Sequence, residues 1–276
     1  MNICNSQSFD HGIKGFKLGW SLAGPPLMTV YCYLFGRTMI DTGQSHMERQ
    51  VLGIAKENRV KHVCLTHHHE DHSGNGAMLH KHMGVEVFGH PLTGEKLKTP
   101  YKILPYQKYV WGKTTPLDVC PFPDTMETGL GKMISLHTPG HARDHVVYFL
   151  PEKGIVFSGD LYLGDRIRYF RADEDMGTQI SSLKKVLELD FSILLCSHNP
   201  RVKNGPQHIR NKLDFLENLY GNIIALWEKG VAEREIFGRL RLKEDYVTKY
   251  FCFGNVSMGN GVKSAIRHYE AGRNKG

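Results

Sequence analysis

The 276-residue sequence predicts an α/β fold, a four-layer αββα sandwich in which two sheets pack face to face and helices cover both outer faces. Two runs of strand-like segments, each interleaved with helix-like segments, carry this prediction. The predicted strands cover 27–35, 38–40, 62–66, 85–88, 134–137, 146–150, 155–157 and 191–196. The predicted helices cover 47–58, 74–83, 178–189 and 206–229, where apolar residues return at steps of three and four.

The remaining segments divide the chain into a main domain and an extension. Gly36-Arg37 lies between two predicted strands and predicts a hairpin turn. The stretch 98–132 has little periodicity and holds aromatic residues among prolines, which predicts a long loop that either walls a site or packs on the core. After about residue 206 the pattern is wholly helical. We therefore predict a main domain over 1–205 and a helical C-terminal extension over 206–276 packed on it.

Charge and cysteine content limit the partners and the compartment. The formal net charge of +7 favours anionic partners, such as phosphates, carboxylates, acidic thioesters or nucleic acid. The six cysteines contain no C-x-x-C pair, which indicates free, buried thiols in a reducing compartment. The first residues do not resemble a signal peptide, and no apolar run is long enough to span a bilayer. We expect a cytoplasmic protein without a membrane partner.

A histidine-rich segment, Thr66-His67-His68-His69-Glu70-Asp71-His72, follows the predicted strand 62–66 and precedes a helix. Side chains that emerge where a strand ends are well placed to build a site. His67 and His69 are two residues apart and point to one side in an extended backbone, and Asp71 and His72 lie one turn further on. Imidazole and carboxylate ligands suit zinc, and also iron or manganese.

Two metal ions need more ligands than this segment holds, and three candidates occur downstream, each directly after a predicted strand. They are His141 in Thr138-Pro139-Gly140-His141, Asp160 in Ser158-Gly159-Asp160 and His198 in Cys196-Ser197-His198. Taken singly, Asp160 has an ordinary explanation as a turn or a helix N-cap, and His198 as a surface histidine. The histidine-rich segment taken alone could be a polar turn. Their joint occurrence, in order and at successive strand ends, favours a metal site.

The pattern H-x-H-x-D-H, then T-P-G-H, S-G-D and S-H, with Ile40-Asp41-Thr42-Gly43 near the start, resembles the metallo-β-lactamase superfamily over about 27–200. The resemblance implies a metallo-β-lactamase-type sandwich with two metal ions, zinc before iron or manganese. Each ion would have its own group of ligands, and one aspartate would bridge the two ions. The implied ligands are His67, His69 and His141 for one ion, Asp71, His72 and His198 for the other, and Asp160 as the bridge. Asp41 matches a family aspartate that supports the site without binding metal.

The resemblance also implies a reaction. We predict a metal-dependent hydrolase in which a hydroxide bridging the two ions cleaves an ester, thioester or lactone bond of a small anionic molecule. Asp71, His72 and Asp41 are the predicted catalytic residues. The motifs are similar to a branch containing lactamase-like endoribonucleases and to glyoxalase II-type hydrolases. Two alternatives therefore stay open: an endoribonuclease or phosphodiesterase acting on single-stranded RNA, and a metal-binding regulatory protein with weak turnover.

Substrate residues and partners are predicted from the surroundings of the ligands. Arginines and aromatics occur together in the segment 165–171 after Asp160, so Arg166, Arg168 and Arg171 are candidates for binding an anionic substrate. Tyr162, two residues after Asp160, is a candidate substrate residue that could assist a leaving group. Equally, the arginines could pair with the acidic residues 173–175. Asp144 and His145 are candidates for orienting ligand imidazoles. A small-molecule substrate is favoured over RNA because the sequence has no basic run, and a homodimer stays open.

Overall fold

The structure, a computed structural model, describes residues 1–274 and contains fourteen strands and ten α-helices within them. The strands are β1 (Asn2–Ser8), β2 (Lys14–Trp20), β3 (Val30–Phe35), β4 (Thr38–Ile40), β5 (His62–Cys64), β6 (Glu86–Gly89), β7 (Cys120–Pro121), β8 (Met126–Thr128), β9 (Gly131–His137), β10 (Val146–Leu150), β11 (Ile155–Gly159), β12 (Phe170–Arg171), β13 (Ile193–Cys196) and β14 (Val256–Ser257). The helices are α1 (Glu48–Glu57), α2 (Glu70–Ser73), α3 (Gly76–Met83), α4 (Pro91–Leu97), α5 (Pro105–Val110), α6 (Met176–Leu187), α7 (Gly205–Trp227), α8 (Glu233–Arg239), α9 (Tyr246–Phe251) and α10 (Met258–Arg273).

Two mixed sheets form the centre of the fold. The first has the order β1-β2-β3-β4-β5-β6-β7, antiparallel as far as β4 and parallel from β4 to β7. The second has the order β13-β11-β10-β9-β8, in which only β11 and β13 are parallel among the described strands. Parallel neighbours need a crossover connection, and α1 and α3 supply it between β4, β5 and β6.

Large side chains fill the space between the two sheets. Tyr33 and Phe35 of β3 pack on Phe157 of β11, with ring centroids 5.5 and 5.3 Å apart. All five residues of β10 are buried, as expected for a strand covered on both faces. The inter-sheet core therefore holds the two sheets in a fixed relation, and with it the strand ends at their shared rim.

Helices cover the outer face of each sheet. Apolar residues of α1 and α3 pack on the first sheet, and those of α6, α7 and α10 pack on the second. The predicted αββα sandwich is thus confirmed. No helix within residues 1–274 combines the length and the apolarity needed to cross a bilayer.

Several local predictions were wrong. The N-terminal hairpin β1–β2 was not predicted, the stretch 98–132 contains α5, β7 and β8 instead of one long loop, and the tail is not wholly helical because β14 pairs with β12. The predicted turn at Gly36-Arg37 joins β3 to β4, with Gly36 at φ 55°. The extension predicted over 206–276 runs two residues, Lys275 and Gly276, beyond the described part of the chain.

Candidate metal centre

The candidate ligands all follow strands of the two sheets. His67 and His69 come after β5, and the next turn, α2, carries Asp71 and His72. The others follow β9, β11 and β13 of the second sheet: His141, Asp160 and His198. Because the carboxyl ends of parallel strands meet at one edge of a sheet, β5 contributes at the same rim as β4, and β11 at the same rim as β13.

One group of donors consists of three buried histidines. Nε2 of His67 lies 2.8 Å from Nδ1 of His69, and Nε2 of His141 lies 3.1 Å from the same Nδ1. The three side chains each offer an atom such that all these atoms lie within 4.8 Å of one another. A group of imidazole nitrogens at this spacing has the donor set of a divalent metal site.

A second group combines two histidines with two carboxylates. Nε2 of His72 lies 3.5 Å from Oδ2 of Asp71 and 3.4 Å from Oδ1 of Asp160. Nε2 of His198 lies 3.4 Å from the same two oxygens. The other oxygen of Asp160, Oδ2, lies 3.5 Å from Nε2 of His141 in the first group. Asp160 therefore has one oxygen directed at each group.

Three polar atoms of the cluster lack a hydrogen-bond partner within residues 1–274: Nε2 of His69, Nε2 of His72 and Oδ1 of Asp160. Leaving such atoms buried costs free energy comparable to a lost hydrogen bond. Two of them, on His72 and Asp160, face the other members of the second group. A cation in that group would satisfy both, so the residues fit a metal ion.

The electrostatics of the two groups differ. Burial lowers the pKa of His67 and His69 well below the usual value, and neighbouring positive groups add to this effect. Burial acts against the charged form of His72 and His198 too, but nearby carboxylates outweigh it and raise the pKa of His198 to about 10. The first group thus favours neutral imidazoles, which are the form that binds metal. The second group is an acidic environment that attracts a cation.

Asp41 fixes the orientation of the His72 ring through the ring nitrogen that does not face the second group. Its Oδ2 lies 2.7 Å from Nδ1 of His72, and its Oδ1 accepts from the Thr66 backbone N–H at 2.8 Å. The Thr66 hydroxyl lies 2.9 Å from Asp41 Oδ2 and 3.0 Å from Nδ1 of His67. Because Nδ1 of His72 is bound to this carboxylate, its Nε2 is directed at the other members of the second group.

Glu174 orients the ring of His141 in the way that Asp41 orients His72. Glu174 was not among the site residues predicted from the sequence. Its Oε1 lies 2.7 Å from Nδ1 of His141, and both side chains are buried. Glu174 lies in the acidic run 173–175, which was predicted only as a partner for arginines. No local pattern links it to a histidine 33 positions earlier.

A backbone carbonyl orients the ring of a third candidate ligand, since Nδ1 of His198 lies 2.7 Å from the Thr29 oxygen.

Asp144 and His145, the other candidates for orienting imidazoles, contact different groups. Asp144 accepts from the His68 backbone N–H at 2.9 Å and lies 2.8 Å from its Nδ1, and His68 belongs to neither donor group. Nε2 of His145 accepts from the backbone N–H of Asp160 at 3.1 Å. His145 therefore supports the loop that carries Asp160, and Asp144 supports the loop that carries His67 and His69.

The four candidate substrate residues separate in space. Burial, and after it the positive charge of Arg171, lowers the pKa of His69, and Arg171 pairs with Asp173 at 3.1 Å. Arg166 and Arg168 are exposed, and Arg166 lines a cavity of about 680 Å³ beside α7. The Tyr162 hydroxyl donates to Asp165 at 2.6 Å and is not brought to the metal ligands. Among the four, Arg171 alone acts on a candidate ligand.

Two aromatic residues of the stretch 98–132 border the cluster. Trp111 is buried, and its ring centroid lies 6.3 Å from that of His198. The Tyr101 hydroxyl donates to the backbone oxygen of His68 and to the carboxylate of Glu70, at 3.1 and 3.2 Å. This part of the stretch both packs on the core and forms a wall beside the second donor group.

The sequence model described as the metallo-beta-lactamase superfamily matches residues 26–198, which include every member of the cluster. The chain belongs to this superfamily. It has the metallo-β-lactamase fold that the sequence predicted.

Individual superfamily members are similar to this chain over most of its length. A lactamase-like protein, adaB, of Aspergillus niger is 27% identical over 75% of this chain and 61% of its own length, so the chain spans about three fifths of that relative. The hydroxyacylglutathione hydrolase GloC of Haemophilus influenzae is 32% identical over 63% of this chain and 84% of its own. A thioesterase, pkgB, of Emericella nidulans is 29% identical over 70% of this chain and 52% of its own.

Solved structures of the superfamily have the same fold. A metallo-beta-lactamase family protein from Thermus thermophilus aligns over 94% of both chains with a TM-score of 0.65 and 21% identity. A metallo-beta-lactamase from Pontibacter korlensis covers 78% of this chain and 99% of its own, with a TM-score of 0.60 and 19% identity. These similarities support the sandwich architecture.

Proposed function

We propose that the protein uses two divalent metal ions to hydrolyse an ester, thioester or lactone bond of a small anionic molecule, with a thioester as the preferred bond. The observation that carries the proposal is the position of Asp160. Its two oxygens face two different donor groups, 3.4 Å from Nε2 of His72 and 3.5 Å from Nε2 of His141. A carboxylate in this position can bridge two ions.

The proposed ligands divide as the two donor groups do. His67, His69 and His141 would hold one ion, and Asp71, His72 and His198 the other, with Asp160 shared. Borderline nitrogen and oxygen donors of this kind favour zinc, with iron or manganese as alternatives. When bound, such ions would supply a water of lowered pKa as the nucleophile and would stabilise the negative charge that develops on the substrate.

The protein's own groups orient the donors and the substrate. Asp41 fixes the tautomer of His72, and Thr66 ties that carboxylate to the strand end, so the second donor group is held in place before substrate binds. Trp111 lies beside His198, with ring centroids 6.3 Å apart. Arg171 is the proposed contact for a substrate carboxylate or phosphate, because its positive charge contributes to the low pKa of His69, a candidate ligand.

The preferred bond is supported by two relatives. They are a hydroxyacylglutathione hydrolase and a thioesterase, 32% and 29% identical to this chain. The name of the first relative suggests a small anionic thioester as the substrate of this chain. Such a substrate agrees with the net charge of +7 and with a binding role for Arg171. We also propose a cytoplasmic location, which is supported by six cysteines that are all free thiols.

The test is a substrate panel with zinc-loaded protein: a glutathione thioester, a neutral thioester of the same acyl group, a lactone and single-stranded RNA. We expect thiol release from the anionic thioester, and a KM raised about tenfold or more by Arg171→Met, since one charged contact contributes about 1.5–3 kcal/mol. Arg168→Met, an exposed arginine three positions away, is the matched control and should leave KM unchanged. Cleavage of RNA without cleavage of any ester, thioester or lactone would overturn the proposal.

A further inference from the structure

Helix α10, at the end of the chain, contacts the segment that carries Glu174. The Ser264 hydroxyl donates to the backbone oxygen of Glu174 at 2.8 Å and accepts from the backbone N–H of Met176 at 2.8 Å. Nη2 of Arg267 donates to the same Glu174 oxygen at 2.6 Å. Two side chains of α10 therefore converge on one carbonyl group.

The same segment is held on both sides of Glu174. Strand β12 pairs with β14, and the backbone N–H of Ala172 donates to the Asn255 oxygen at 2.9 Å. On the other side, Asp175 caps the start of α6 and its backbone N–H donates to the Gly140 oxygen at 2.8 Å. The segment 170–176 is thus fastened to the C-terminal part of the chain and to the loop that holds His141.

Both carboxylate oxygens of Glu174 have hydrogen-bond partners. Its Oε1 lies 2.7 Å from Nδ1 of His141, its Oε2 accepts from Nε2 of Gln179 at 3.1 Å, and the residue is 5% exposed. A carboxylate oxygen can only accept this hydrogen bond, so Nδ1 of His141 carries the proton. The lone pair of Nε2 is then free to bind a metal ion. Nε2 is the atom that faces His69 and Asp160.

We infer that Glu174 is the positioning residue of the three-histidine group, and that α10 holds it in place through Ser264 and Arg267. The C-terminal helix thereby contributes to metal affinity, although none of its residues belongs to either donor group. Helices α6 and α10 are tightly packed next to Glu174. A Cβ atom at Gly177, in the first turn of α6, would lie 2.2 Å from the His268 ring of α10, so the two helices are in close contact next to Glu174.

The inference rests on the metal centre proposed above, so its test includes a measurement without metal. In the metal-free protein, ¹⁵N chemical shifts of His141 should show a single tautomer protonated at Nδ1. Glu174→Ala should give a mixture of tautomers, and Glu174→Gln, which keeps an acceptor oxygen, should lie between. An unchanged His141 tautomer in Glu174→Ala would overturn the inference, even if the wild type bound no metal.

The second measurement is zinc affinity by chelator competition, with the absorption spectrum of the cobalt-substituted protein as a report on geometry. Glu174→Ala should weaken the three-histidine site about ten- to hundredfold and alter the cobalt spectrum, with a smaller effect at the other site. Ser264→Ala and Arg267→Ala should weaken the same site to a smaller extent. Lys263→Ala, an exposed residue of the same helix, is the control and should not change affinity.

Each result decides one part of the inference. Wild-type affinity in Glu174→Ala would overturn the role of Glu174. Weakened binding in Glu174→Ala together with wild-type affinity in both α10 variants would overturn the role of the helix. A variant that fails to fold is recognised by its thermal unfolding in the metal-free state, and Glu174→Gln, which is similar in shape, then replaces Glu174→Ala. A wild type that binds no zinc would instead overturn the proposed function.

Discussion

Oδ2 of Asp41 lies 2.7 Å from Nδ1 of His72, and both side chains are buried. Asp41 reaches this position with a left-handed backbone at φ 56°, which is uncommon for a residue with a side chain. Such a conformation costs of order 1 kcal/mol or more and persists where the surroundings determine it. Here the carboxylate is fixed by the Thr66 N–H and directs His72 toward the second donor group.

Replacement of this carboxylate tests its role. Asp41→Asn keeps the size of the side chain and removes its charge, so Nδ1 of His72 loses a strong acceptor. We expect metal affinity of the second group to fall about ten- to hundredfold, as measured by chelator competition. Asp144→Asn is the matched control, because Asp144 binds His68 and not a member of the second group, and it should leave metal affinity of the second group unchanged. Equal metal loss in both variants would contradict a specific role for Asp41.

Gly159 is expected to be essential for the position of Asp160. It has φ 48°, and a Cβ atom there would lie 2.7 Å from Nε2 of His145 and 2.9 Å from Thr66. Gly159→Ala should therefore displace the loop and reduce both thermal stability and metal content. Gly154→Ala is the control, since Gly154 also has a positive φ of 60° but its Cβ would meet nothing closer than 3.6 Å. That variant should lose only about 1 kcal/mol and bind metal normally. Similar metal loss in both variants would mean that backbone strain, and not the overlap, is decisive.

Asp144 is expected to make stability depend on pH in the acid range. Burial raises the pKa of Asp144, but hydrogen bonds from His68 and Thr93 outweigh it and lower the pKa to about 2. The folded pKa lies below the unfolded value, so the stabilisation is present above about pH 4 and is lost as pH falls toward 2. In urea unfolding of metal-free protein, Asp144→Asn should be less stable by about 2 kcal/mol at pH 7, and the difference should be roughly halved at pH 3. A difference that does not change with pH would contradict this account.

The six cysteines should fall into two classes of reactivity. Cys4 and Cys120 are exposed, whereas Cys32, Cys64, Cys196 and Cys252 are buried. Burial also raises the pKa of the Cys196 thiol to about 12. Ellman's reagent should therefore modify two thiols rapidly in the native protein and the other four only after unfolding. Rapid modification of more than two would show that the sandwich opens readily, and Cys4→Ser with Cys120→Ser would identify the fast pair.

The sequence was most informative where local pattern and long-range geometry agree. Strands β4 and β10 are short buried runs, and their predicted bounds match the structure. Strand β11 runs two residues further than predicted, and the candidate ligand Asp160 follows it directly. His67 and His69 follow β5 and lie on the same side of their loop, with Nε2 of His67 2.8 Å from Nδ1 of His69. The relation between the segments, from His67 to His198, came from the family resemblance and not from spacing.

The misses have physical reasons. Strand β1 reads NICNSQS, is almost entirely exposed and is held by its backbone ladder with β2, so it carries no apolar alternation to detect. Strand β14 has two residues and exists because β12 is beside it. Glu174 is positioned by contacts to α6 and α10, which are tertiary and leave no mark in the local sequence. Arg166 and Tyr162 were close to Asp160 in sequence, but the chain turns toward α7 there, and their side chains contact that side of the fold.

The most direct test of the central claim is the metal content of purified, zinc-reconstituted protein, measured by elemental analysis for the wild type, Asp160→Ala and Asp165→Ala. Asp165 lies five residues after Asp160 and pairs with His208, so its variant controls for the loss of an acidic residue from the same loop. We expect about two equivalents of zinc in the wild type and in Asp165→Ala, and about one or fewer in Asp160→Ala. A wild type that takes up no metal, or an Asp160→Ala protein that retains both equivalents, would contradict the account.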